Sequence, residues 1–175
     1  LYERDSYLEV ASALSNDQQI VDTLSAIYQT KSRESVNALL YGPESIPPDG
    51  EIPQDSVLFE PSGIAILRND KINAYLKYGP YGGGHDHLDR LNLILFAMGK
   101  VIMPDLGTSG YGIPLNRWYQ SSAAHNLLVV DGKRQARCGG YLIDYLGQSV
   151  DAGVDEAYKD VFLKRKIVLK EDGIE

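Results

Sequence analysis

The sequence predicts a mainly β fold, an antiparallel sandwich or barrel preceded by short helices. Three observations carry this expectation. Helical periodicity is confined to about the first 42 residues, and a proline-rich break follows it. From Val57 onward, short runs of alternating apolar and polar residues recur with glycine turns between them.

The helical part is read from "DQQIVDTLSAIYQ", which sets Ile20, Val21, Leu24, Ile27 and Tyr28 on one stripe behind a cap at Asn16 or Asp17. A second short helix has the stripe Val36, Leu39 and Leu40, with Gly42 placed to end it. The stretch "GPESIPPDGEIPQDS" then holds four prolines and two glycines in fifteen residues, which no helix tolerates. The predicted division is helical over 1–45, linker over 46–56 and β over 57–175. "GIAILRNDKINAYLKYG" predicts two strands around Asn69-Asp70, with Ile72, Ala74, Leu76 and Tyr78 on one face. Further strands are expected in "LNLILFAMGKVIM", "HNLLVVDGKRQ", "GYLIDYLGQSV" and "DVFLKRKIVLK". Asp172-Gly173 signals a hairpin whose returning strand is expected beyond the chain, and Leu1 opens without a methionine or signal-peptide pattern. Both ends predict an excerpt from a larger protein.

With 175 residues, 43% of them apolar, the chain can bury one core. A net charge of −7 with 17 scattered Lys and Arg excludes a basic footprint for nucleic acid. There is no 18-residue apolar run for a membrane span, and Cys138, the single cysteine, allows no intrachain disulfide.

Chemistry concentrates in "GGGHDHLDRLNL", residues 82–93. All three histidines lie between residues 85 and 125. On an extended strand His85, His87 and Asp89 share a face while Asp86 points away. Asp105 and His125 are the candidate remote ligands for a metal site, and two imidazoles with one carboxylate and an open position fit zinc best. Plainer roles compete: an isolated HxH pair is more often hydrogen-bonded or surface histidine, and Asp105 precedes a turn-like "LGTSGYG". With twelve tyrosines in the chain, Tyr111 is singled out only by its place after a glycine-rich bend. Trp118 suits either a sugar-stacking ring or a core anchor.

The stretches "YGPYGGGHDHLDRLNLILFAMGKVIMPDLG" and "GYGIPLNRWYQSSAAHNLLVVDGKRQ" resemble the heparinase II/III-like polysaccharide lyases, in particular their alginate and oligo-alginate lyases, over about residues 57–170. That family joins an (α/α) toroid to an antiparallel β-sandwich, so the resemblance implies that the helices are the toroid's last turns and that the rest of the toroid lies outside this chain. It implies a structural zinc on His87, Asp105 and His125, and catalytic positions at His85 and Tyr111. Arg90 and Trp118 are then the expected substrate-binding residues. Asp86, Leu88 and Arg90 depart from the family's usual HGH and from the proline and lysine that often follow.

The implied reaction is β-elimination. A base removes the C5 proton of a uronate in an acidic polysaccharide, the 4-linked oxygen leaves, and an unsaturated sugar remains. Neutralising the neighbouring carboxylate is the central electrostatic task, for which His85 is placed, with Tyr111 as proton donor or base. The family's main tyrosine and its Asn or His partner sit in the toroid, so this fragment alone is expected to be inactive. The resemblance also implies a periplasmic or secreted location. Two metal-enzyme alternatives are a cupin-like barrel, whose ligand glutamate is here Asn92, and a non-haem iron oxygenase using His87, Asp89 and His125. A carbohydrate-binding sandwich without catalysis is the non-enzymatic one.

Overall fold

A computed structural model describes residues 4–15, 17–51 and 54–175. The chain divides into two compact units, residues 1–53 and 54–175.

In the first unit, α1 (Arg4–Leu14), α2 (Gln18–Tyr28) and α3 (Val36–Tyr41) form where the helical periodicity lies. Asp17 caps α2 by accepting the Gln19 amide at 2.9 Å, and Ser35 caps α3 by accepting the Ala38 amide at 3.0 Å; the alternative cap, Asn16, lies outside the described residues. Glu9, fully buried, accepts two hydrogen bonds from the Arg33 guanidinium at 2.8 and 2.9 Å and one from the Tyr28 hydroxyl at 2.8 Å. Leu24 of the α2 stripe is buried, but the α3 stripe is not: Val36, Leu39 and Leu40 are 69, 84 and 63% exposed. Six residues make fewer than two turns, and α3 is tied to α1 by a polar contact, Asn37 Nδ2 donating to Ser6 O at 3.1 Å. Gly42 ends α3 in an extended rather than left-handed conformation.

The second unit is a sandwich of two antiparallel sheets. The first has the order β1-β2-β3-β4-β5, with β1 Val57–Phe59, β2 Ile64–Arg68, β3 Ile72–Lys77, β4 Asn92–Ala97 and β5 Lys100–Met103. The second has the order β6-β7-β8-β9, with β6 Tyr141–Tyr145, β7 Ser149–Tyr158, β8 Val161–Lys170 and β9 Gly173–Ile174. Ala65, Leu67, Ala74 and Leu76 of the first sheet meet Val150, Ala152, Val154, Leu163 and Ile167 of the second in one core. Gly63 closes the β1–β2 turn at φ +62°, so near Gly79 that a Cβ would sit 1.8 Å from the Gly79 Cα.

Three expectations change. Residues 85–89 are not a strand: Gly83–His85 is a 3-10 turn with Gly83 at φ +85°, and β4 begins only at Asn92. "HNLLVVDGKRQ" is loop and turn, because side chains take its backbone groups before a ladder can. The Asn126 amide donates to Asn92 Oδ1 at 2.9 Å, Arg165 donates to Asn126 O at 2.6 Å, and the Gln135 amide donates to Ser122 Oγ at 2.9 Å. The hairpin's return lies within the chain, since β9 pairs Ile174 with Leu169.

Candidate metal and substrate site

The site is built on the connection between β3 and β4, and its foundation is a buried ion network. Arg90, 1% exposed, donates to Gly79 O at 2.8 Å, Pro80 O at 2.7 Å, Asp86 Oδ2 at 2.8 Å, Asp89 Oδ1 at 2.7 Å and His87 O at 3.2 Å. Its own backbone is clasped by the Gln135 side chain, which accepts from Arg90 N at 2.8 Å and donates to Arg90 O at 3.0 Å. Lys77, at the end of β3, donates to Asp86 and, at 2.9 Å, to Asp89. Burial alone would raise the Asp86 carboxyl, yet the Gly82 amide, Lys77 and Arg90 together hold it well below the usual carboxylate range.

Arg90 is therefore not a substrate-facing cation, as the sequence led us to expect. Its guanidinium is enclosed and spent on five acceptors, and its role is to pin the turn that carries both histidines. The acidic Asp86, the chain's departure from HGH, is the other half of the same clamp, so it presents no free negative charge.

That turn sends its two histidines to different neighbours. His87 meets His125, with ring centroids 5.2 Å apart. Ligand-type atoms of His87, Asp89 and His125 lie within 4.8 Å of one another. Asp105, just past β5, reaches the same imidazole by another side: its Oδ2 is 3.1 Å from His125 Nδ1 and accepts the Asn92 amide at 2.8 Å. His125 is buried, and its Nε2 meets no partner among the described residues. Burial, aided by the neighbouring His125, lowers the His87 pKa and favours the neutral imidazole. The His125 hydrogen bond brings Asp105 down to about 2, so it is ionised at neutral pH. A neutral His87 imidazole beside an ionised Asp105 carboxylate is the pairing of protonation states a metal requires.

His85 goes the other way. Its Nδ1 contacts the Tyr111 hydroxyl, with the rings edge-to-face at 5.5 Å and 87°. Both residues are exposed, Tyr111 at 77%. A cavity of about 320 Å³ brings His85, His87 and Asp105 together over Tyr75, Lys77 and Ile94 of the first sheet. A second, of about 580 Å³, lies beside Tyr111 in the loop that carries α4 (Asn116–Tyr119). The loop is fastened to the histidine turn by Leu88 N donating to Gln120 O at 3.0 Å and by Ser122 Oγ donating to Leu88 O at 2.6 Å. Trp118, on α4, is 45% exposed and packs edge-on against Tyr119 at 5.1 Å.

Every histidine singled out in the sequence thus lines this region, together with Asp105 and Tyr111. Sequence reasoning missed Lys77, Gln135 and Ser122, which act through tertiary contacts that no local spacing reveals.

Residues 51–161 match the family described as Heparinase II/III-like, C-terminal. Among solved structures, a heparinase III gene product is 22% identical with a TM-score of 0.61, over 68% of this chain and 21% of its own. Heparan sulfate lyase HepC from Pedobacter heparinus is 18% identical with a TM-score of 0.63, over 87% of this chain and 26% of its own. The chain thus spans about a quarter or less of those proteins, and at such identities the likeness establishes the fold. No curated protein matches the chain. Residues 51–161 being most of the chain, this protein belongs to the heparinase II/III-like family and carries part of its C-terminal domain.

Proposed function

We propose that this chain is the sandwich portion of a polysaccharide lyase that cleaves a uronate-containing polysaccharide by β-elimination. The observation that carries the reading is the exposed contact between His85 and Tyr111, mounted on a turn that also carries His87, which meets His125 beside Asp105. Family membership and the heparinase likeness support it. In this reading His85 faces the uronate carboxylate and stabilises the charge that spreads into it as the C5 proton departs. The electron pair forms the C4–C5 double bond, the glycosidic C4–O bond breaks, and Tyr111 is positioned to exchange the proton with the sugar. The neighbouring acids do not repel the substrate, since Asp86 and Asp89 are neutralised by Lys77 and Arg90.

The cluster fits zinc. We assign His87, Asp105 and His125 as its ligands, because both oxygens of Asp89 are already held by cations whereas Asp105 meets neutral donors and the His125 ring. The ion's chemistry is structural: it ties together segments distant in sequence and so braces the turn bearing His85. The same reading carries a periplasmic or secreted location, which cell fractionation tests.

The activity test is incubation of the full-length protein with alginate, heparan sulfate and other uronate polymers while following ultraviolet absorbance of the unsaturated product. The Tyr111 spacing favours alginate and the heparinase neighbours favour heparan sulfate. Product from either, abolished by His85→Ala, is expected; no product from any uronate polymer sinks the reading.

A further inference from the structure

We propose that Arg117 forms an anion-reading subsite next to the His85–Tyr111 pair, one that takes the carboxylate or sulfate of a neighbouring acidic sugar unit. The proposal deepens the lyase reading and rests on it for the identity of the ligand. Tyr111, Ile113, Asn116, Arg117 and Gln120 line the cavity of about 580 Å³, a size within the roughly 300–1,000 Å³ of small-molecule pockets. Tyr111 is also the residue that touches His85, so a sugar chain crossing the pair runs along this wall.

Charge singles out Arg117. Lys77 and Arg90, which hold the histidine turn, are each bonded to Asp86 and Asp89. Arg117 is exposed and makes no ion pair with any described residue. It is the one cation among the residues lining this cavity, and it can offer its planar fork of donors to a carboxylate or sulfate.

The wall is also held in place. Thr108 Oγ1 donates to Asn116 Oδ1 at 2.5 Å, and the Gln120 carbonyl is bound by the Leu88 amide at 3.0 Å, which couples the cavity to the turn carrying His85. The Asn116 and Gln120 amides suit sugar hydroxyls, and Trp118, next in sequence and 45% exposed, adds an apolar ring.

The experiment is calorimetric binding to the full-length protein in a His85→Ala background, which stops turnover. It compares Arg117, Arg117→Lys and Arg117→Gln against an unsulfated oligouronate, a heparan-sulfate oligosaccharide and a neutral oligosaccharide of equal length. Arg117→Gln should weaken acidic-ligand binding tenfold or more, with Arg117→Lys in between and an unchanged melting temperature, as an exposed substitution allows. In turnover assays with His85 intact, KM should rise while kcat stays. Binding of the unsulfated ligand shows that a carboxylate is read; binding of the sulfated ligand alone shows that a sulfate is. Equal affinity for the neutral sugar, or affinity in Arg117→Gln within twofold of the parent, overturns the subsite. If Arg117-dependent binding is found but no uronate polymer is cleaved, the lyase reading fails and the subsite stands.

Discussion

Arg90, at 1% exposure, is enclosed by five acceptors, two of them carboxylates. Removing it leaves Lys77 as the one cation paired with Asp86 and Asp89 and takes a donor from the Gly79, Pro80 and His87 carbonyls. Arg90→Met should therefore cost about 3–5 kcal/mol in chemical denaturation, the range for breaking a buried pair by deleting one partner. Arg90→Lys should also destabilise, since one ammonium cannot span these acceptors. Asp86 sets the pH response. Its folded-state pKa lies below the unfolded value, so its contribution is fully present above the unfolded value, near pH 4, and is lost as pH falls toward the folded one. Asp86→Asn should accordingly be less stable at neutral pH, with its deficit shrinking and its acid-unfolding profile shallower as pH falls below about 4. The sequence displayed the two histidines and the two acids but not which charges cancel. Arg90 therefore read as a ligand for substrate when it is a ligand for its own loop.

Strands that fill the core were legible because burial imposes a period of two: Ile72, Ala74 and Leu76 are buried and the residues between them are not. The turn at 85–89 and the loop at 125–135 were not, because their conformations are set by Arg90, Gln135, Asn92 and Arg165 reaching in from elsewhere. "HNLLVV" has strand composition and no free ladder to join. The bend at Gly63 shows the opposite case, a local feature with a tertiary reason. It accepts both Tyr78 N and Gly79 N on its carbonyl, at 2.7 and 3.0 Å, and leaves no room for a side chain. Gly63→Ala combines a left-handed φ with a backbone clash and should destabilise by about 2 kcal/mol or more by denaturant titration. A loss below about 0.5 kcal/mol would show that this approach is not rigid.

At the scale of the molecule, the helical unit and the sandwich each hold together through their own contacts, and among the described residues no helix is long and apolar enough to cross a membrane. The α3 stripe is exposed within the helical unit, and the chain spans about a quarter or less of the heparinases it resembles. The histidines, Asp105 and Tyr111 were legible because they fall within about 40 residues of sequence and the resemblance tied them together; their division into a half-buried cluster and an exposed pair came from the fold. The central claim is that one zinc, on His87, Asp105 and His125, braces the turn that presents His85. Elemental analysis of the purified protein, paired with a melting curve before and after chelation, tests it most directly. We predict one zinc per chain, with zinc content and melting temperature falling together on chelation and in His87→Ala. A metal-free protein of unaltered stability, or zinc retained in His87→Ala, would contradict it.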